Sequence, residues 1–254
     1  MANETEVLLD GWVNTVVRIG DTVRRSTGPW TPAVHALLRH LESVGYAWSP
    51  RVLGIDEQDR EILTYFEGRA ATVPWPQPLT RDEGLTLFAR ALAEYHAAVA
   101  GFVPPVDAVW RLGALPLEEG QLVCHGDFAP WNTIWRDGAL VGVIDWDFAT
   151  PGPPVYNVAY AAWYGVPLHH ESEKNLGGAA DLRRRLELFC ATAGDYEPSA
   201  VLDAIVEVQA LEYSRMNDLG QRGLEPWATF IARGELEWLA ACRAWLSKNR
   251  ARLA

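Results

Sequence analysis

Apolar and polar positions divide this chain into a strand-patterned opening stretch and a mainly helix-patterned remainder. Over residues 7–25 the β-branched residues Val13, Val16, Val17, Ile19 and Val23 recur, and Gly20-Asp21 interrupts them as a hairpin turn would. The spacing changes over 32–44, where Val34, Leu37, Leu38 and Leu41 fall on one face of a helix. Residues 50–55 and 61–66 again read as strands, with the polar turn 56–60 between them. The first part is therefore a small sheet with one helix inserted.

Val73-Pro74-Trp75-Pro76-Gln77-Pro78 sets three prolines in five residues, which continue neither a helix nor a central strand. A lobe boundary is expected there. From Thr80, a candidate N-cap followed by Asp82 and Glu83, the positions Leu85, Phe88, Ala89, Leu92 and His96 repeat at helical spacing up to Gly101. Residues 181–193, 199–219 and 226–247 read as further amphipathic helices, with no internal repeat. The expected organisation is a first lobe over 1–68, a hinge and linker over 69–79, and a second lobe over 80–254.

Composition narrows the function classes. Apolar residues make up 49% and charged residues 22% of 254 positions, as in ordinary globular chains. A formal charge of −11 argues against nucleic acid or an anionic membrane as partner and suits a solvated acidic surface or a cationic ligand. Cys124, Cys190 and Cys242 are far apart and odd in number, so they read as reduced core thiols of a cytoplasmic protein. The opening residues lack the basic and apolar regions of a signal peptide, and no apolar run reaches the length of a membrane helix.

The chemistry concentrates in His125-Gly126-Asp127-Phe128-Ala129-Pro130-Trp131-Asn132, followed by Ile144-Asp145-Trp146-Asp147. The apolar run 122–124 leads a strand into His125, and Pro130 keeps 127–132 from forming a regular helix, so Asp127 and Asn132 can face one cleft. A hairpin of 132–135 and 140–144, turning at Arg136-Asp137-Gly138, then brings Asn132 and Asp145 to one end as hard-oxygen ligands for a divalent cation. A carboxylate facing a hydroxyl, with an Asn and an Asp on Mg²⁺, is the set that phosphoryl transfer needs. Taken singly, either Asp reads equally well as a turn cap.

His125-Gly126-Asp127, Asn132 and Ile144-Asp145 together resemble the catalytic and metal loops of the aminoglycoside phosphotransferase and choline-kinase-like families. The resemblance is specific over 122–150 and weaker, but in the right order, over 7–70. It implies an α+β, protein-kinase-like two-lobed fold: a small antiparallel-sheet N-lobe with one helix, a larger mainly helical C-lobe, and the nucleotide in the cleft between them. It implies Asp127 as catalytic carboxylate, Asn132 and Asp145 as Mg²⁺ ligands, and His125 as a hydrogen-bonding support of the loop. Asp147 is a secondary candidate with a capping or salt-bridge role. Residues 63–67, with Thr64, Tyr65 and Phe66, would form the hinge against the nucleotide base. Gly11, in the hairpin 10–14, would approach the phosphates.

Several positions depart from the family pattern. Arg24 and Arg25 stand where a phosphate-holding cation is usual, and strand alternation turns only one of them inward. The helix acid that normally pairs with that cation is replaced by His35, which reads as a surface histidine. The arginine is therefore expected to be less firmly positioned. Gly152-Pro153-Pro154 and Asn157-Val158-Ala159 replace the usual Gly-Asp-Pro and Asp-Leu-Ala.

The substrate side is the least informative. Trp163, Trp227, Trp238 and Trp245 read as core, Glu207, Glu212, Asp218 and Glu225 as polar helix faces or an acidic rim, and 169–173 as an exposed loop. The resemblance implies an ATP- or GTP-dependent, Mg²⁺-requiring phosphotransferase acting on a hydroxyl of a small, cationic acceptor such as an aminoglycoside-like antibiotic. Choline, an amino alcohol, a sugar or a nucleoside are the alternative acceptors, and an inactive nucleotide- or ligand-binding pseudokinase is the alternative class. Either a monomer or a homodimer fits.

Overall fold

The computed structural model describes the backbone of residues 5–8 and residues 16–254 except Pro74. The chain divides into two compact units, Met1–Ala70 with Glu94–Pro154, and Ala71–Ala93 with Val155–Ala254.

The first unit opens with β1 (Thr5–Leu8), β2 (Val16–Ile19) and β3 (Thr22–Ser26), then α1 (Thr31–Ser43), β4 (Val52–Ile55) and β5 (Arg60–Thr64). The strands form one antiparallel sheet in the order β1-β2-β3-β5-β4. Gly20, at φ 61°, makes the β2–β3 turn that the sequence signals. Along β3 and β5 the register sets Val23 opposite Leu63 and Arg25 opposite Glu61. Strand alternation then carries Arg25 and Glu61 to the same face as these apolar partners. Helix α1 buries Val34, Leu37, Leu38 and Leu41 as its spacing predicts, and His35 with them.

Two smaller sheets also belong to this unit among the described residues. β6 (Arg69–Ala70) joins β8 (Thr133–Arg136) and β9 (Ala139–Val143), while β7 (Leu122–Cys124) pairs with β10 (Thr150–Gly152). α2 (Asp82–Val99) lies between β6 and β7 in the chain. It starts later than the sequence suggests. Thr80 closes a preceding 3₁₀ turn, its hydroxyl donating to the Gln77 carbonyl at 2.8 Å, and the Leu85 amide donates to the Arg81 carbonyl.

The second unit is helical: α3 (Pro154–Gly165), α4 (Ser172–Leu176), α5 (Leu182–Ala193), α6 (Pro198–Gln221), α7 (Trp227–Ala232) and α8 (Glu235–Leu253). The single helix expected over 226–247 is two, because Gly234 turns the chain at φ 86° between them. Helix α3 was not anticipated; Val158, Ala159, Ala161, Ala162 and Trp163 are all buried, so no amphipathic stripe betrays it. His169 is buried beside Tyr164 and Trp238, which corrects the exposed-loop reading of 169–173 at that residue. Of the tryptophans read as core, Trp163 and Trp227 are buried, whereas Trp238 and Trp245 are half-buried. The three cysteines are buried and unbridged, and among the described residues no helix is long and apolar enough to cross a membrane.

Candidate active site

The 122–132 segment is locked by its own short-range contacts. After β7, Gly126 turns at φ 80°, and a Cβ there would lie 2.0 Å from the Phe148 carbonyl oxygen, so only glycine fits between His125 and Asp127. Pro130–Asn132 then form one 3₁₀ turn. Asn132 Nδ2 donates to Asp127 Oδ2 at 2.8 Å and to the Asp127 carbonyl at 2.9 Å. Trp131 Nε1 donates to the same Oδ2 at 3.4 Å, from a side chain 36% exposed. The two loops meet through the backbone as well, since the Ile144 amide donates to the Asn132 carbonyl at 2.9 Å.

His125 ties the loops together. Its Nε2 donates to the Ile144 carbonyl at 3.1 Å, and its Nδ1 accepts the Asp127 amide at 3.2 Å. Only the neutral ring does both. Complete burial lowers its pKa to about 4, against the pull of Asp145. The ring packs 4.4 Å from Trp146 and edge-on to Phe128.

Asp145 follows β9 in the left-handed region, φ 61° and ψ 66°, and starts the 3₁₀ turn Trp146–Phe148. Aspartate tolerates that region better than most residues, and such backbone strain gathers at working sites. Of the two arginines, Arg25 meets this loop. Its Nε donates to Glu61 at 2.6 Å, its Nη1 to Asp145 at 3.2 Å, and its Nη2 to Asp147. Arg24 turns the other way, to Thr22 Oγ1 at 2.6 Å and Asp56 at 3.7 Å. Burial opposes the charge of Arg25, but Asp147, Glu61 and Asp145 outweigh it and raise its pKa.

The expectation of a loosely held arginine is corrected. Glu61 of β5 supplies the acid that α1 lacks, and His35 holds the second Glu61 oxygen at 2.8 Å. His35 is thus a buried anchor, 5% exposed, and not a surface histidine. Burial works to raise the Glu61 pKa, yet the hydrogen bond from His35 and the charge of Arg25 hold it below the usual range. Asp147 is pushed up by burial, with Arg25 and Arg111 opposing.

The hinge candidates lie elsewhere in the same unit. Tyr65 and Phe66 line a cleft of about 500 Å³ with Arg18, Asp21, Glu67 and Arg136. Arg18 stacks 3.9 Å from the Tyr65 ring centroid, and the Tyr65 amide donates to the Asp21 backbone carbonyl. Phe66 lies flat on Gly142, where a Cβ would come within 2.4 Å of its ring. Thr64 Oγ1 accepts the Arg51 amide at 2.9 Å. Gly11 falls outside the described residues.

Residues 106–189 match the model of the phosphotransferase enzyme family. A trifolitoxin immunity protein from Rhizobium leguminosarum bv. trifolii is 35% identical over 206 residues, covering 79% of this chain and 74% of that protein. The chain belongs to the phosphotransferase enzyme family. Its fold is shared by an amicoumacin kinase solved with AMP-PNP, Ca²⁺ and Ami, at TM-score 0.62, 12% identity, and 93% and 88% coverage of the two chains. It is shared also by aminoglycoside 2'-phosphotransferase-IIIa with GDP, at TM-score 0.59, 17% identity, and 96% and 93% coverage. A Plasmodium vivax ethanolamine kinase gives TM-score 0.61 at 12% identity, with 95% and 82% coverage.

Membership of this family implies a nucleotide and a divalent cation, and the donor chemistry fits. Asn132 Nδ2 is committed to Asp127, which leaves the oxygen Oδ1 for a cation, and the Asp145 side chain is 34% exposed. Among the described residues no group of three or more His, Cys, Asp or Glu could hold a metal ion. One carboxylate and one amide oxygen suit Mg²⁺, whose remaining ligands are commonly phosphate and water. Two residues escaped the sequence reading. Glu61 had a signal, an acid sharing a strand face with Leu63; Arg111, paired with Asp147 at 3.3 Å, had none.

Proposed function

We propose that this phosphotransferase moves the γ-phosphoryl group of ATP or GTP to a hydroxyl of a small, cationic toxic molecule, and that the added phosphate protects the cell. The observation carrying the chemistry is the convergence of Asp127, Asn132, Asp145 and a threefold-held Arg25 within one compact unit. The acceptor class draws on the immunity named in the 35%-identical relative and on the antibiotic-directed names of the structural neighbours. The site of action is the cytoplasm, and 1–68, 69–79 and 80–254 serve as N-lobe, hinge with linker, and C-lobe.

In this reading Asp127 faces the acceptor hydroxyl and takes its proton as the oxygen bonds to the γ-phosphorus and the bond to the β-phosphate oxygen breaks. Asn132 orients that carboxylate through its 2.8 Å bond, and His125 fixes the loop that carries it. Arg25 presents a guanidinium to the phosphates, restrained by Glu61 and Asp147. Mg²⁺, held by Asn132 and Asp145, would neutralise charge on the phosphates. Thr64, Tyr65 and Phe66 hold the base side of the nucleotide, with Gly11 over the phosphates.

A mass-spectrometric screen tests the reading: the chain with Mg²⁺ and ATP or GTP against aminoglycosides, amicoumacin, trifolitoxin, choline, ethanolamine, sugars and nucleosides, scored for an added phosphate. Asp127→Ala should lower transfer by about 10²–10⁴-fold while the chain stays folded. Near-normal turnover in that variant would sink the assignment, and modification of choline or a sugar alone would replace the acceptor class. The inactive-pseudokinase alternative is disfavoured because Arg25 and Glu61 rebuild the cation–acid pair that it supposes lost.

A further inference from the structure

Asp147 is 3% exposed and meets two guanidiniums, its Oδ1 taking Arg25 Nη2 and its Oδ2 taking Arg111 Nη1 at 3.3 Å. Arg111 lies in the segment between α2 and β7, outside every motif of the sequence. Its guanidinium lies against two rings, 4.3 Å from the Trp30 centroid and 4.8 Å from that of Phe148. Trp30 is itself seated closely: a Cβ on Gly28 would come within 2.5 Å of the indole. Arg111 is thus held in direction by stacking, independently of its ion pair.

The consequence lies in how Asp147 can hold Arg25. A carboxylate with both oxygens available grips a guanidinium as a fork, engaging two N–H groups side by side. Arg25 Nε is committed to Glu61, so such a fork would take Nη1 and Nη2 together. Arg111 draws Oδ2 toward itself, so Asp147 meets Arg25 through Oδ1 and Nη2, and Nη1 bonds to Asp145. We propose that Arg111 is a positioning residue for the nucleotide phosphates: by holding Oδ2 it fixes the orientation in which Asp147 presents Oδ1 to Arg25 Nη2, and so keeps Nη1 directed at the Asp145 side. This inference rests on the kinase reading above.

Calorimetric titration of wild type and variants with Mg²⁺ and AMP-PNP, and with Mg²⁺ and GMP-PNP, tests it without turnover. Arg111→Met should weaken nucleotide binding by about tenfold, the scale of one charge-assisted hydrogen bond, and raise the nucleotide KM alike with kcat changed less than about threefold. Arg111→Lys, which still donates to Oδ2, should stay within about threefold of wild type. In an Asp147→Asn background, losing Arg111 should add nothing further, because its effect runs through that carboxylate. Should Arg111→Met not fold by circular dichroism, Trp30→Leu decides, with binding weakened in the same direction. Unchanged affinity in the deciding variant, or losses that add in the double variant, overturn the inference alone. A wild-type chain that binds neither nucleotide overturns the kinase reading and the inference together.

Discussion

Arg25 and Glu61 face one another across β3 and β5, in a buried 2.6 Å contact between strands where the family resemblance led to a pair between strand and helix. The helix still contributes, but through His35 on the far oxygen of Glu61. The Arg25 guanidinium is thereby braced from its own sheet, with α1 one step removed.

Removing that brace should cost stability. Glu61→Ala leaves buried Arg25 with two of its three carboxylates and takes from His35 its partner, so chemical denaturation should show a loss of about 2–4 kcal/mol. His35→Ala should lose about 1–2 kcal/mol, as one hydrogen bond to a buried carboxylate disappears. A Glu61→Ala midpoint matching wild type would show that the pair contributes nothing net.

The two adjacent arginines should separate cleanly in binding. Arg25→Met should weaken Mg²⁺–nucleotide binding at least about tenfold, since its guanidinium is the one beside Asp145. Arg24→Met, whose contacts are Thr22 and Asp56, should stay within about twofold. Equal losses in both would refute the assignment of Arg25 to the phosphates.

Acid should loosen the 125–132 segment through His125. Its folded pKa, about 4, lies below the unfolded value near 6.5, so the unfolded chain binds the proton first. Stability is therefore full above about pH 6.5 and falls as the pH drops toward about 4, by about 2–3 kcal/mol at pH 4.5 from this group. His96 and His169, also lowered to about 4 by burial, act in the same direction. Urea midpoints at pH 7, 5.5 and 4.5 provide the check; a flat profile would mean that His125 takes up its proton as readily in the fold as in the unfolded chain.

In the helical unit, Arg185 should matter far more than its neighbour. It is 3% exposed and donates to the carbonyls of Val166, Thr80, Leu79 and Gly165 at 3.2–3.4 Å, tying the end of α3 to the turn before α2. Arg185→Leu strands those acceptors and should lose about 2–4 kcal/mol by urea denaturation. Arg184→Ala, which removes an exposed pair with Asp82, should barely move the midpoint. The reverse order of the two would show that the buried carbonyls find other donors.

Legibility followed contact range. The His125–Asn132 block and the Asp145 turn were readable because their bonds span few residues: Asp127 to His125, Asn132 to Asp127, Thr133 to Pro130. The β2–β3 hairpin and α1 were readable for the same reason. Arg25 was not, since its partners lie 36, 120 and 122 residues away and strand alternation alone left Arg24 equal to it. Helix α3 stayed hidden because a segment buried on several sides carries no period, and the α7–α8 break because apolar spacing continued across Gly234.

Sequence by itself determined the residue types of the candidate site and the local turns that present them, because a glycine under a carbonyl or an amide on a neighbouring carboxylate is settled within a few residues. Tertiary structure decided which arginine turns to Asp145, that a strand glutamate takes the helix acid's place, and that Arg111 shares Asp147. Those are matters of register and packing between segments far apart in the chain. Buried charges must find partners wherever the fold brings them, and no local pattern records which they will be.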